Sequence, residues 1–209
     1  MLFRLPCWRT TRERRCSPTP HCHVLRCKLP GVKPRILPVA AVLGFAVLAH
    51  AQTPAHPPSD IPASLQAPAG EQLILQAHAT GWQIYTCGAG ADGKPQWTLK
   101  APDADLHDKK GAVIGHHSAG PSWKYKDGSQ VIGKAMAHAD APDSKGIPWL
   151  LVTAIGHSGD GLFARVTSIQ RLHTKGGLPP AAGECDPSKP SPEARSSYTA
   201  DYYFYAPAK

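Results

Sequence analysis

No stretch of this 209-residue chain is both apolar and long enough to cross a membrane as a helix. The longest uncharged, mostly apolar run, Ile36 to Leu48, falls short of the ~20 residues that spanning needs. No amphipathic segment of helix length occurs either, which argues against helix bundles and doubly wound sheets. Acids are sparse beyond residue 51. Glu71, Glu184 and Glu193 are the only glutamates there, and no spacing among them or the aspartates favours a glycosidase pair. G-x-S-x-G is missing, and so, beyond residue 51, are H-x-H and H-E-x-x-H.

What is present begins with an export signal. Lys33 and Arg35 precede the apolar run, and Ala49-His50-Ala51 follows it as an A-x-A cleavage site. Residues 32–51 read as a signal peptide, with a mature chain from Gln52. The expectation is a secreted or periplasmic protein with no stable membrane span after cleavage. Residues 1–51 carry nine of the 23 Lys and Arg and one of the 15 acids (Glu13), which accounts for the whole net charge of +8. The remainder is formally neutral and has no electrostatic reason to bind nucleic acid or anionic lipid. Residues 1–31 contain Cys7, Cys16, Cys22 and Cys27 beside His21 and His23, without zinc-finger spacing. They read as a non-structural extension or a start-site artefact, with Val32 as an alternative start.

Two cysteines remain, Cys87 and Cys185. In an exported chain they are expected to pair. Closing so long a loop is worth about 4–5 kcal/mol on the chain-entropy model. Residues 52–60 carry Pro54, Pro57 and Pro58 and read as a disordered lead-in.

From Ile61 on, apolar and polar residues alternate with period two. Strands are expected over 72–79, 82–87, 96–100, 113–117, 123–125, 130–137, 149–155, 163–172 and 198–205. Thr80-Gly81 reads as a turn between the first two. Asp127-Gly128 is the strongest hairpin signal. In 82–87, Gln83, Tyr85 and Cys87 share one face and Trp82, Ile84 and Thr86 the other. Eight or nine short strands over residues 61–207 predict a single small all-β domain, a sandwich or a barrel.

Several segments carry a resemblance: Trp82 to Cys87, His117 to Trp123 leading to Asp127-Gly128-Ser129, Ile147 to Leu151, Ile169-Gln170-Arg171 with Thr174, Gly176 and Gly177, and Tyr198 to Tyr205. Together they resemble the uncharacterised secreted family catalogued as domain of unknown function 3455, over roughly Ile61 to Tyr205. The resemblance implies no established activity. Some members carry a malate dehydrogenase label, and Gly88 to Gly93 fits G-x-G-x-x-G. That fingerprint needs a helix opening inside the glycine run. Here Pro95 and the strand-like Trp97-Thr98-Leu99 follow, so the segment reads as a loop between strands and the dehydrogenase reading is rejected. No cofactor is implied.

Eight histidines lie beyond the signal peptide. His116 and His117 would point to opposite faces of a strand and could not share an ion. His117, in a family-like segment, is the best single metal candidate, and a weak one. Asp103, Asp105 and Asp108 read as an acidic turn without the Gly and Glu of a calcium loop. His157-Ser158-Gly159-Asp160 holds the triad residue types, but consecutive residues cannot form a triad. Trp123 and Tyr125 share a face near the Asp127 hairpin. If exposed they form a stacking platform for a sugar or other flat ligand; if buried they are core. His117, Trp123, Tyr125 and Asp127 are therefore the candidate ligand-binding residues. The leading expectation is a binding or structural module for an unidentified extracellular ligand, such as a carbohydrate or cell-surface group. The alternative is a secreted hydrolase or metal-dependent enzyme using His117 with acids from other strands.

Overall fold

A computed structural model describes residues 58–189 and 192–209. The extension 1–31, the signal peptide 32–51 and most of the lead-in lie outside these residues. Eight strands follow one another: β1 (Glu71–Ala89), β2 (Pro95–His107), β3 (Val113–Ser118), β4 (Ser122–Tyr125), β5 (Gln130–Ala139), β6 (Trp149–Ser158), β7 (Ser168–Gly176) and β8 (Glu193–Pro207). Each pairs antiparallel with the next, and β1 pairs with β8 from Glu71↔Pro207 to Thr86↔Glu193. The sheet is a closed up-and-down barrel, and of the sandwich and barrel alternatives the barrel is realised.

Three expected boundaries are corrected. The strand expected over 163–172 begins only at Ser168, because Leu162–Arg165 form a 3-10 segment. Thr80-Gly81 is not a turn, because β1 runs through it as one strand. Gly81 marks a close approach instead: a Cβ there would overlap the Asp103 carbonyl and the Ala104 backbone across the ladder. The acidic segment is not a turn at Asp103 and Asp105 either. Both lie on β2, and only Asp108 sits in the turn that follows, where it accepts from the Lys110 and Ala112 amides. The glycine run Gly88 to Gly93 forms the end of β1 and the loop before β2, as expected.

Alternation sorts the side chains of β8 cleanly. Tyr198, Ala200, Tyr202 and Phe204 face the barrel interior, while Tyr203 and Tyr205 face out. Both sets are buried because a second, smaller core covers part of the outer wall. Leu65, from the 3-10 turn Ala63–Leu65, packs there with Trp149, Leu172, Tyr203 and Tyr205. Gln170 donates to the Leu65 carbonyl at 2.6 Å and accepts from the Tyr205 hydroxyl at 2.6 Å.

One end of the barrel is plugged. The loop after β6 turns inward as a 3-10 segment, Leu162–Arg165, and drives Phe163 against Phe204 and Tyr125. Asp127 anchors this plug: its carboxylate accepts from the Ser129 amide (2.9 Å) and the Leu162 amide (2.8 Å), while Ser129 Oγ accepts from the Phe163 amide (2.9 Å). At the other end, Cys87 and Cys185 stand at disulfide distance, Cα atoms 5.3 Å apart. The pair ties the β7–β8 loop to the end of β1.

Candidate functional site

The barrel wall is incomplete in one place. β3 and β4 are short, six and four residues. β2 pairs with β3 only as far as Ala104↔His117, so residues 95–103 pair with β1 alone. On the other side β4 pairs with β5 only as far as Ser122↔Ile132, and residues 134–139 pair with β6 alone. The gap above the β3–β4 turn is a lateral window. Leu99, Ala101 and Pro102 form one jamb, Gly120 and Pro121 the sill and Ala135 the other jamb. Proline is tolerated at 102 and 121 because neither amide faces a ladder neighbour there.

The window opens on a cavity of about 380 Å³. Leu150 and Val152 supply apolar wall from β6, and Trp123 and His117 form the base. The Trp123 and His117 rings stack, centroids 4.4 Å apart and planes within 5°, with Tyr202 edge-on to both. Gly133 makes room for this base, since a Cβ there would strike Val152 and crowd the Trp123 ring.

The back wall is polar. Gln83 from β1, Arg171 from β7 and Tyr202 from β8 converge there. Gln83 Nε2, Trp123 Nε1 and the hydroxyls of Tyr198 and Tyr202 are all buried and complete no hydrogen bond with the protein. Tyr198 and Tyr202 adjoin one another, and Tyr202 also adjoins Arg171 and Trp123. Burial pushes both hydroxyls above the ordinary tyrosine range, so they remain neutral. The Arg171 guanidinium donates through Nε (3.3 Å) and Nη2 (2.8 Å) to the Pro148 carbonyl. It forms no ion pair among the described residues, and the cavity lining contains no carboxylate. Lys100, at the rim, pairs outward with Glu193.

His117 is fully enclosed. Its Nδ1 lies 2.9 Å from the Ser122 carbonyl, which can only accept, so Nδ1 carries the proton and Nε2 holds the lone pair. Burial holds its pKa down at about 3, against the pull of the Ser122 bond and with Arg171 and His116 adding to the depression. The imidazole is neutral at any ordinary pH.

The four candidate ligand residues therefore divide. His117 and Trp123 line the cavity; Tyr125 packs on the plug and Asp127 holds it. Trp123 is buried, so the aromatic pair at the hairpin is core rather than an exposed platform. No second imidazole and no carboxylate meets His117 in the cavity. His116 faces outward to Asp103 and Asp105. No cluster of three or more His, Cys, Asp or Glu able to hold a metal occurs among the described residues. Arg171, Gln83 and Tyr202 carry no site signal in the sequence, because nothing in a linear pattern brings β1, β7 and β8 together around one point.

Fold and site together define a closed, one-end-plugged antiparallel β-barrel with a side-entry cavity. The chain belongs to the family described as protein of unknown function (DUF3455), whose model matches residues 68–206. No curated protein and no solved structure matches it. Among the described residues no helix is long and apolar enough to cross a membrane.

Proposed function

We propose that this protein is an exported, non-catalytic binding module that takes a small organic ligand through the lateral window into the barrel. The observation that carries the reading is the row of buried polar groups on the cavity wall, Gln83, Trp123 and Tyr202, which stand close to one another and to Tyr198 yet complete no hydrogen bond of ordinary geometry. Leaving such groups unsatisfied costs about 1–3 kcal/mol each, a cost that a ligand's acceptors relieve. A concave, mostly apolar site with a few convergent polar groups is the ordinary form of a small-molecule site. Export rests on the apolar run ending at Ala49-His50-Ala51 and on a cysteine pair placed at disulfide distance. A hydrolase or metal enzyme built on His117 lacks support, since the imidazole meets neither an acid nor a second histidine in the cavity.

Uncharged N-phenylnaphthylamine, which fluoresces in apolar sites, tests the reading on the mature oxidised chain. Saturable enhancement is expected, and Ala135→Trp, which fills the window from an exposed position, should remove it while leaving the unfolding transition in place. Enhancement that is absent in the wild type, or that survives Ala135→Trp, would overturn the assignment.

A further inference from the structure

The cavity's donor set also selects among ligand chemistries. We infer that the ligand is a monocarboxylate on a flat apolar body, its acid group held on the back wall by Arg171, Tyr202 and Gln83. This rests on the binding reading above. Three observations separate it from other classes.

First, the wall presents a guanidinium with no carboxylate partner, beside an indole N–H, a carboxamide NH₂ and neutral phenol hydroxyls that can each turn a donor toward an anion. A carboxylate offers only acceptors, with room for several such bonds. A carbohydrate brings hydroxyl donors, for which the lining offers only the neutral acceptors of His117 Nε2, Gln83 and Tyr202 and no aspartate or glutamate. This weighs against the sugar expected from the aromatic pair.

Second, the charge is single. Arg171 is the one cation of the back wall, and Lys100 at the rim is paired with Glu193. A buried dianion such as a phosphate monoester would keep one charge uncompensated and out of water. A monoanion balances the guanidinium. Pro148 engages Nε and one Nη2 hydrogen, so Arg171 is fixed in orientation and keeps its Nη1 donors for the ligand.

Third, the remainder of the lining is apolar. Leu150, Val152 and Pro102 face the space between the window and the back wall, above the Trp123–His117 stack. A planar hydrocarbon body fills such a slot with little loss of rotamer freedom.

Cinnamate and cinnamamide, nearly isosteric and differing in charge, are the probes. Titration calorimetry on the mature chain should find cinnamate bound about tenfold or more tightly than cinnamamide, the advantage of a charge-assisted over a neutral contact. Arg171→Met should bring the ratio close to one while N-phenylnaphthylamine still binds. Tyr202→Phe, which keeps the ring and its packing, should weaken cinnamate severalfold and cinnamamide less, narrowing the ratio, and it keeps the test open should Arg171→Met fail to fold. Equal affinities in the wild type, or a preference that survives both substitutions, overturn the carboxylate assignment and leave the binding module standing. Failure of N-phenylnaphthylamine as well as both cinnamic probes overturns the two together.

Discussion

At the scale of single residues, His117 joins fold to pH. Its imidazole stacks on Trp123, donates to the Ser122 carbonyl and has no room to ionise, so the folded chain refuses a proton down to about pH 3. The unfolded chain takes one up near 6.5, the ordinary value. Between these limits the unfolded state binds more protons, so stability rises with pH. The stabilisation is complete above 6.5 and falls by about 1.4 kcal/mol for each pH unit below it. Urea denaturation at about pH 7 and about pH 5 should therefore show a loss of about 2 kcal/mol from this group. His117→Asn, which can keep a donor toward Ser122 but cannot ionise, should lower the baseline stability and lose that component of the pH dependence. An unchanged slope in the variant would show that His117 is protonated in the folded barrel.

At the scale of elements, the short lead-in before β1 does more than its length implies. The family match starts at residue 68, yet Leu65 is fully buried in the outer core with Trp149, Leu172, Tyr203 and Tyr205, and its carbonyl receives the Gln170 amide. Leu65→Ala should cost about 2–5 kcal/mol, as for a core leucine, read as a lower urea midpoint. A loss well below about 1 kcal/mol would mean that the outer core is ornamental to the barrel. This element also marks how far the sequence could be read. Alternation showed the strands and the two faces of 82–87, because a half-buried strand writes period two directly into its residues. Gly81 was ambiguous, since glycine serves both turns and close strand crossings. The segment from Ala101 to Asp105 hid the second half of β2: its proline and its aspartates read as a turn, and it pairs across a bulge at Ile84 and Tyr85. The cavity itself was hidden except for His117 and Trp123. Arg171, Gln83 and Tyr202 meet only after the barrel closes, and closure depends on registers between strands far apart in the chain.

At the scale of the whole molecule, a closed barrel should have no edges, and this one departs from that rule in two places. β6 and β7 pair only from Leu150↔Arg171 to Thr153↔Ser168, although β6 continues to Ser158. That break is filled by the plug, where Phe163 and Val166 are both fully buried. The second break is the window, and nothing from the described chain fills it. Residues 95–103 and 134–139 are thus edge strands inside a barrel, each with every second amide turned away from a ladder partner. β1 and β8 are paired on both sides over most of their length, and β8 carries Tyr198, Tyr202 and Phe204 of the inner core. Opening free energies should follow this division, lowest at the window and close to the global value in β1 and β8. Residue-resolved hydrogen exchange by NMR should find the window-facing amides of 96–103 and 134–139 exchanging fastest among strand amides. N-phenylnaphthylamine, seated behind the window, should slow those amides selectively. Exchange as slow there as in β8, or a ligand effect centred on the plugged end, would place entry elsewhere; the expected pattern ties the short β3–β4 hairpin to how the cavity is reached.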